Sequence, residues 1–319
     1  MAATYRGRGD LAPGHFAPVA WQKWKLLPYL AALILSIAVG SVYSHPYAVL
    51  VKAIFIVFGA LQFVGIFGLM HESAHGHLAR SGKANRLLGE MISVLVGTSY
   101  SGYRAAHLTH HARFRTEGDP QEVIFPRRSA PATMILLTFA SVFGAPIFLL
   151  IRAPLIALKH NNVARALWGP IAAVTFYVVL VMVLPGAQGH FLLLTIAAGS
   201  VLGSLNDMVY HQGLVAEDSL QACTSFDCDL FGQLFLSGAN RHAEHHAYPA
   251  VPGPRLVQVS KALREEFVAI GVPYERSFAV SFIRRFFINP LFLPLAGPAE
   301  LSPGEVTPGE PAEVEVRAS

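Results

Sequence analysis

The chain has 319 residues, of which 53% are hydrophobic and only 14% are charged, and its formal net charge is +4. Soluble domains average about 25% charged residues, so this composition indicates a membrane protein. The basic residues lie between apolar segments, which is typical of cytoplasmic loops, and we expect no nucleic-acid binding. The two cysteines form no CxxC pair and are too few for a disulfide scaffold.

The first half of the predicted membrane domain is a hairpin. Residues 1–25 form a polar lead without a recognisable cleavage site, so we expect the first apolar run to remain as an anchor. Apolar runs at 26–43 and 48–70 are each close to or above the roughly 20 residues that cross a bilayer. The turn at 44–46 between them predicts that both outer ends lie on one side of the membrane.

Two shorter apolar segments precede a second hairpin. Residues 87–100 are too few to span, so an interfacial or re-entrant helix is predicted, and 132–151, interrupted by Pro146, is interpreted as an in-plane or re-entrant element. The runs at 167–184 and 190–206 then form the second hairpin. The predicted fold class is an all-α integral membrane protein with about four transmembrane helices in two hairpins. We divide it into a cytoplasmic lead (1–25), a membrane domain (26–290) and a disordered tail (291–319).

Three histidine clusters stand out against this apolar background. The sequences HESAH at 71–75, HLTHH at 107–111 and HAEHH at 242–246 hold eight of the 14 histidines. Residues three or four apart share one face of a helix, so each cluster can direct several imidazoles to one point. Imidazole is a preferred ligand of iron and zinc, and eight such ligands exceed the four that one zinc ion takes. The clusters therefore predict two metal ions, and four crossings place all three on one side of the membrane.

The clusters, in this order, resemble those of the membrane fatty acid desaturase superfamily, whose members are oxygen-activating enzymes with a non-haem diiron centre. The resemblance covers about residues 50–265. It rests on HESAHGH at 71–77, on HLTHH at 107–111 followed by Asp119-Pro120, and on NRHAEHHAYPAVPGPRL at 240–256. It implies two iron ions that cycle between Fe2+ and Fe3+, with O2 as co-substrate. Zinc has no redox chemistry and would not serve this reaction.

The resemblance also implies a ligand set, with no catalytic residue beyond the ligands. The family often supplies one further histidine between the last transmembrane helix and the third cluster, and His211 occupies that place. The implied iron ligands are His71, His75, His107, His110, His111, His211, His242, His245 and His246. His77 is expected to point away from the face that these ligands share.

Five polar residues near the ligands are candidates for supporting roles. Some family members hold a metal-bound water with an asparagine four residues before the additional histidine. This chain has Asp207 there and Asn206 beside it, so either a water-holding role or a contact that fixes an imidazole is open. Asp119 is expected to contact a ligand, as in the family. Glu72 and Glu244 are predicted either to accept hydrogen bonds from ligand imidazoles or to be simple solvated carboxylates.

Three other functions compete with desaturation. The sequence at 71–75 matches the HExxH motif of zinc proteases, but an intramembrane protease leaves the other two clusters without a role. A metal transporter predicts ligands near the middle of the membrane, whereas these clusters are expected beyond the helix ends. Within the diiron class, a hydroxylase or ketolase that acts on a lipid or carotenoid remains open. The proline-bearing third cluster favours a desaturase of acyl lipids.

The resemblance implies a lipid or acyl substrate, linked to a lipid, to coenzyme A or to a carrier protein. No haem-binding HPGG motif and no GxGxxG loop are present, so we expect a separate electron donor, ferredoxin-like or cytochrome b5-like with its reductase. Basic residues flank the first hairpin and predict that the active site lies on the cytoplasmic side. We expect a multi-pass protein of a bacterial inner membrane.

Overall fold

The computed structural model describes residues 11–114, 118–121, 142–160, 163–211 and 220–284. In this part of the chain helices predominate, and strands β1 (Ser225–Phe226) and β2 (Tyr274–Glu275) form a two-stranded parallel pair. The α-helices are α1 (Leu26–Val42), α2 (Ala48–Ala74), α3 (Gly82–Val96), α4 (Tyr100–Arg113), α5 (Gly144–Ile147), α6 (Ala153–His160), α7 (Val163–Val183), α8 (Gly186–His211), α9 (Asp229–Phe235), α10 (His242–Ala247), α11 (Leu256–Ala269) and α12 (Phe278–Ile283). A π-helical turn at Phe148–Arg152 joins α5 to α6, and 3-10 turns lie at Pro13–Phe16, Gln22–Lys25, Leu220–Ala222 and Gly253–Arg255.

Among the described residues, four helices are long and apolar enough to cross a membrane: Gln22–Val42, which includes the 3-10 turn before α1, then α2, α7 and α8. Large apolar side chains, among them Val49, Ile54, Val174 and Met182, are exposed on their outer surfaces. Such surfaces are compatible with lipid and not with water. The predicted all-α integral membrane fold is confirmed.

Two spanning helices that carry histidines of the site, α2 and α8, extend further than the apolar runs predicted. Helix α2 continues past Met70 to Ala74, so His71 lies on its last turn, and α8 continues to His211 itself. The expectation that the clusters lie beyond the ends of the spanning helices is therefore wrong for the first cluster, whereas the second and third clusters lie on the separate helices α4 and α10. The apolar run stops at the first polar residue of the cluster, but the helical hydrogen bonds continue beyond it.

The predicted interfacial helix at 87–100 lies at Gly82–Val96. It begins at Ser81, whose hydroxyl accepts a hydrogen bond from the Ala84 N–H, and ends at Gly97, which has a φ of 87°. Glycine adopts this left-handed backbone conformation without strain, and a residue in this conformation commonly ends a helix. The chain restarts as α4 after Ser99, which accepts a hydrogen bond from the Gly102 N–H, and α4 carries the second cluster.

Helices α2 and α8 cross closely because glycines lie at their interface. A Cβ on Gly59 would lie 2.7 Å from the Thr195 side chain, and a Cβ on Gly199 would lie 2.8 Å from Phe63. Small residues permit such close approach between membrane helices, where van der Waals packing drives association. The pairing brings the C-terminal ends of α2 and α8 together at one end of the helix bundle.

The segment predicted as in-plane or re-entrant, 132–151, is described only from residue 142 onward, as α5 and the start of the π-helical turn. Its orientation in a membrane stays a prediction, since residues 132–141 lie outside the described part. The tail at 291–319 and residues 285–290 before it likewise lie outside it. The proposed domain boundaries therefore stay predictions.

Candidate metal centre

The three histidine clusters meet at one end of the spanning helices. His71 on α2 lies beside His107 on α4, with ring centroids 4.4 Å apart, and beside His245 on α10, with centroids 4.6 Å apart. His211, at the end of α8, lies 5.3 Å from His110 by the same measure. Residues far apart in sequence thus line one site, as a shared metal centre requires.

The imidazoles form two groups. In each group, the ligand nitrogens lie within 4.8 Å of one another. The first group consists of His71, His75, His107, His111 and His245, and the second of His110, His211 and His246. His242 adjoins the second group, because its Nε2 lies 2.8 Å from that of His211 and 3.2 Å from that of His246.

All nine residues that the resemblance implied as ligands therefore lie in or beside one of the two groups. Adjacent residues divide between them: His111 and His245 belong to the first group, whereas His110 and His246 belong to the second. One helical turn in the second cluster and one in the third thus contribute to both groups, whereas His71 and His75 of the first cluster both belong to the first group. This division accounts for the paired histidines at the ends of the second and third clusters.

The donor atoms suit metal cations. The Nδ1 of His211 lies 3.2 Å from the Ala222 carbonyl oxygen, which can only accept, so the proton resides on Nδ1 and Nε2 presents a lone pair. His110 Nδ1 lies 2.9 Å from an Asp119 carboxylate oxygen, so its proton also resides on Nδ1 and its Nε2 presents a lone pair. His75 and His107 bring their Nε2 atoms within 2.8 Å of each other. Nitrogen lone pairs that converge in this way repel one another unless a proton or a cation lies between them.

Burial keeps these rings in the form that binds metal. His245 has both ring nitrogens buried without a hydrogen-bond partner in the described part of the chain. Desolvation by burial, followed by repulsion from neighbouring histidines, lowers the pKa of six imidazoles well below its usual value near 6.5, and neutral imidazole is the ligand form. These six are His75, His107, His111, His242, His245 and His246.

Aromatic rings and one carboxylate fix the orientation of ligand candidates. Tyr103 stacks on His107 with an interplanar angle of 4°, and Tyr210 stacks on His242 with centroids 4.1 Å apart. The buried Asp119 contacts His110 Nδ1 and also accepts a hydrogen bond of 2.9 Å from the Gln121 N–H. A carboxylate on the far nitrogen of an imidazole fixes the tautomer and raises the basicity of the other nitrogen.

Glu72 lies inside the first cluster and is fully surrounded by protein. Its carboxylate accepts hydrogen bonds from Gln22 Nε2 at 2.8 Å and from the Gly253 N–H at 3.0 Å. The Nδ1 atoms of His71 and His77 each lie 3.8 Å away. The alternative of a solvated carboxylate is therefore wrong, and Glu72 links the N-terminal segment, the first cluster and the segment after the third.

Glu244, within the third cluster, is also buried, so the solvated alternative is wrong here too. Its carboxylate accepts hydrogen bonds from the Ser225 hydroxyl and, at 2.9 Å, from the Tyr274 hydroxyl. It contacts β1 and β2 instead of a ligand imidazole, so the predicted hydrogen bond to an imidazole is not seen. The small parallel pair thus serves as the support for α10.

Arg241, directly before the third cluster, is held by two aspartates. Its Nε and Nη2 donate to Asp229 at 2.8 and 2.9 Å, and its Nη1 donates to Asp227 at 2.7 Å. Arg264 donates twice to Asp227, at 2.6 and 2.7 Å. Hydrogen bonds from Arg264 and then Arg241 hold the pKa of Asp227 at about 2, so the network stays charged at neutral pH. Forked guanidinium–carboxylate pairs of this type fix geometry as well as charge.

A cavity leads from the histidines into the helix bundle. Its walls are mainly apolar, with Phe63, Phe67, Phe148 and Leu149 among them. It reaches both groups of imidazoles, since His71, His107, His110 and His242 line it as well. An apolar cavity that ends at converging imidazoles suits the hydrocarbon part of a lipid.

The remaining candidates lie near the centre but outside the two groups. Asn206 and Asp207 line the cavity, and Asn206 accepts a hydrogen bond of 3.2 Å from the Tyr210 hydroxyl. His77 is buried and stacks on His75 with ring centroids 5.6 Å apart. None of the three belongs to either group of converging ligand atoms.

Several residues of the site carry no signal in the sequence. Gln22 lies 50 positions from Glu72, and Asp227 and Asp229 lie outside every cluster. Tyr103 could have been identified, because it lies four residues before His107 and so shares its helix face. Helical spacing of this kind identifies only contacts within one helix, so it could not identify the other residues.

Comparison with known proteins agrees with this geometry. The sequence pattern described as "Fatty acid desaturase" matches residues 47–278. An sn-2 acyl-lipid omega-3 desaturase (ferredoxin) of Arabidopsis thaliana chloroplasts is 27% identical over 146 residues, which are 42% of this chain and 32% of that protein. A chloroplastic omega-3 fatty acid desaturase of Brassica napus is 26% identical over 42% of this chain and 36% of its own length. A sphingolipid delta(4)-desaturase of Gallus gallus is 26% identical over 66% of this chain and 65% of its own. The chain spans about a third of the length of the plant relatives that it matches.

Proposed function

Since the chain belongs to the fatty acid desaturase family, and so to the oxidoreductases of lipid metabolism, we propose that it introduces a double bond into the acyl chain of a membrane lipid. The observation that carries this proposal is the junction of an apolar cavity with two groups of neutral, converging imidazoles. One iron ion would be held by His71, His75, His107, His111 and His245. The other would be held by His110, His211, His242 and His246.

The proposed reaction converts a –CH2–CH2– unit to –CH=CH–. It removes two hydrogen atoms from the chain, and two electrons from a donor together with two protons from the aqueous medium complete the reduction of O2 to two molecules of water. Bound iron supplies the redox states that activate O2 for this step. The lipid is oxidised and no oxygen atom remains in it, which distinguishes desaturation from hydroxylation.

The protein residues orient and shield the reacting groups. Phe63, Phe67 and Phe148 confine a hydrocarbon chain in the cavity and exclude water from it. The stacked Tyr103 keeps the ring of His107 in one orientation, and Asp119 does the same for His110. Positioning of this kind holds the reacting carbon within reach of the centre, where small displacements reduce rate strongly.

The geometry disfavours a zinc protease of the HExxH type. In that chemistry the glutamate between the two histidines is free to act as a general base on a metal-bound water. Here Glu72 is engaged by Gln22 and Gly253, and His71 and His75 share their group with three histidines from the other clusters.

We also propose the setting of the reaction. The histidine end of the bundle faces the cytoplasm, where a separate ferredoxin-like or cytochrome b5-like donor delivers the two electrons. The name of the Arabidopsis relative includes ferredoxin, which supports a small soluble donor. A bacterial inner membrane, the carrier of the acyl chain and the position of the double bond stay predictions for lipid analysis to decide.

The decisive experiment combines metal content with product analysis. Protein purified in detergent should contain about two irons per chain, because one ion cannot use all the ligands. Lipids of an expressing host should gain one double bond by mass spectrometry. His107→Ala, in the first group, and His110→Ala, in the second, should each abolish the product and lower the iron content. His45→Ala, at the exposed turn of the first hairpin, is the matched control and should change neither. Full activity with a single zinc ion, or a hydroxylated product alone, would overturn the proposal.

A further inference from the structure

Two helices at the histidine end of the bundle, both too short to cross a membrane, expose apolar side chains. On α9, Leu230 and Leu234 lie one turn apart and are 76% and 50% exposed. On α12, Val280 and Ile283 lie three residues apart and are 62% and 52% exposed. Large apolar side chains that are exposed together mark a contact with a protein or with a membrane.

Helix α12 lies beside α9 and beside the end of a spanning helix. The rings of Phe231 on α9 and Phe278 on α12 have centroids 6.1 Å apart. The ring of Phe278 also lies 5.9 Å from that of Tyr210, which belongs to the last turn of α8. The exposed side chains of α12 are therefore close to the level at which α8 leaves the membrane.

Helix α9 lies at the ends of the other two spanning helices of the site. The hydroxyl of Tyr29, in the first turn of α1, donates a hydrogen bond to the Leu234 carbonyl. A Cβ on Gly68, which lies on α2 about one turn before the first histidine cluster, would be 3.3 Å from Ser237 Oγ, directly after α9. Leu27, in the same turn of α1 as Tyr29, is exposed as well. The apolar surface of α9 thus adjoins the lipid-facing surface of α1.

Aromatic and basic side chains border this surface. Trp21 and Trp24, just before α1, are both exposed. Lys25 Nζ lies 5.0 Å from the centroid of the Trp21 ring and donates a hydrogen bond of 2.7 Å to the Gln233 carbonyl of α9. Lys23 Nζ lies 5.4 Å from the centroid of the Trp24 ring. Tryptophan and basic side chains of this kind are typical of the headgroup level, where helices emerge from a bilayer.

We propose that α9, α12 and the turn at Gln22–Lys25 form an interfacial platform, embedded in the leaflet on the histidine side, and that Lys23 and Arg276 attract its anionic headgroups. Arg276 is exposed directly before α12. The occupant of the surface is the bilayer, because the surface adjoins the spanning helices and is bordered by basic residues. The leaflet then lies beside the cavity, since Leu236 and Ala239, in the loop after α9, line it. The inference goes beyond the proposed function and does not depend on it.

The test places a fluorophore on single cysteines of the full-length, iron-loaded protein in lipid nanodiscs. A Cys228→Ser background leaves only Cys223, which is buried. Leu230→Cys and Val280→Cys report on the platform, and Lys261→Cys, at an exposed polar position of α11, is the control. An iron content equal to that of the wild-type protein identifies the labelled variants that keep their fold. Two quenchers are compared, a lipid with a nitroxide near its headgroup and aqueous iodide.

The two quenchers distinguish a lipid contact from water and from a protein partner. The nitroxide lipid should quench the labels at positions 230 and 280 severalfold more than the label at 261, and iodide should act in the opposite order. Quenching of positions 230 and 280 by iodide alone would show that the surface faces water, and it would overturn the proposal. Protection from both quenchers would mean that protein covers the surface, and this outcome overturns it as well.

A second comparison tests the headgroups. The nitroxide is carried either by phosphatidylglycerol or by phosphatidylcholine, at the same total amount of each lipid. The anionic lipid should quench the label at position 230 more strongly, by up to about fivefold for each basic residue that attracts it. The double substitution Lys23→Glu and Arg276→Glu should remove this difference, and Lys261→Glu should keep it.

Equal quenching by the two lipids in the wild-type background, or a difference that survives the double substitution, would overturn the assignment of the headgroups to these residues. None of these measurements requires a double bond to form. Failure of the interfacial platform and failure of the proposed desaturation are therefore distinguishable.

Discussion

The amide of Gln22 donates a hydrogen bond of 2.8 Å to the carboxylate of Glu72, and both side chains are buried. Gln22 belongs to the short turn that precedes the first spanning helix, whereas Glu72 lies within the first histidine cluster. The same carboxylate oxygen accepts from the Gly253 N–H, beyond the third cluster. Segments from three parts of the chain are therefore joined behind His71 by one carboxylate.

We predict that Gln22→Leu weakens iron retention although Gln22 contacts no ligand ring in the structure. Its loss removes one of the two donors to Glu72 and leaves the carboxylate less constrained behind His71. Changes behind a metal ligand typically reduce metal affinity about 10- to 100-fold. The measurement is iron content after dialysis against a series of chelator concentrations, with the unfolding temperature recorded on the same samples.

Gln62→Leu is the matched control for this prediction. Gln62 is also a buried amide on a spanning helix, but its Nε2 donates only to the Phe58 carbonyl of its own helix. It should retain iron as the wild-type protein does. If both variants lost iron to the same extent, the effect would be a general consequence of losing a buried amide, and the linking role of Glu72 would be wrong.

The sequence allowed the spanning helices and the histidine clusters to be predicted because both signals are local. Apolar runs identify helices through their length, and the spacing of His107, His110 and His111 reports a shared helix face. The helix ends were less accurate, since α2 continues through His71 after its hydrophobic signal has stopped. A helix whose polar last turn is buried by other parts of the protein does not carry the pattern of a membrane span there.

The supporting contacts could not be predicted, because they join residues that are distant in sequence. The division of His110 and His111 between two groups depends on how α4 meets α10. The partners of Arg241 are Asp229, the first residue of α9, and Asp227, in the loop before it. Nothing in the spacing of Asp227 and Asp229 distinguishes them from solvated carboxylates. Only the packing of the elements shows that they surround a buried guanidinium.

We predict that Arg241→Lys destabilises the third cluster. A lysine has one ammonium group and cannot donate to Asp227 and Asp229 through a planar fork. We expect a loss of about 1–3 kcal/mol in the free energy of unfolding, together with a lower affinity for iron. The control is Arg284→Lys, because Arg284 forms an exposed pair with Glu275, and such pairs contribute about 0–1 kcal/mol. Equal effects at Arg241 and Arg284 would contradict a role in holding α10.

The stability of the metal-free protein should fall as the pH is lowered through the usual range of histidine. Burial lowers the pKa of the ligand rings below 6.5 in the folded state, whereas unfolded histidines titrate near 6.5. Below that pH the unfolded chain binds more protons, so folding becomes less favourable, and above it the difference disappears. Each ring that stays neutral contributes a loss of about 1.4 kcal/mol per pH unit.

Unfolding of metal-free protein in detergent, followed from about pH 8 to about pH 5, checks this prediction. His107→Ala should flatten the dependence, because it removes one buried ring. His190→Ala, at an exposed position, should leave it unchanged. A metal-free protein that gained stability on acidification would contradict the sign that burial gives to these pKa shifts.

The last prediction concerns the side of the membrane that each part of the chain faces. Ser44, in the turn of the first hairpin, and Ala187, in the first turn of α8, lie at the end of the helix bundle opposite the histidines. Ser81 and Lys261 belong to the histidine end, and all four residues are exposed. Single cysteines at these positions, in a Cys228→Ser background, should therefore fall into two pairs. With the site in the cytoplasm, an impermeant thiol reagent should label residues 44 and 187 in intact cells. It should label residues 81 and 261 only after the membrane is opened. The reverse pattern for all four would keep the shared site but remove the cytoplasmic electron donor from the proposal. Different behaviour of residues 81 and 261 would place the first and third clusters on opposite sides, and no common centre could then form.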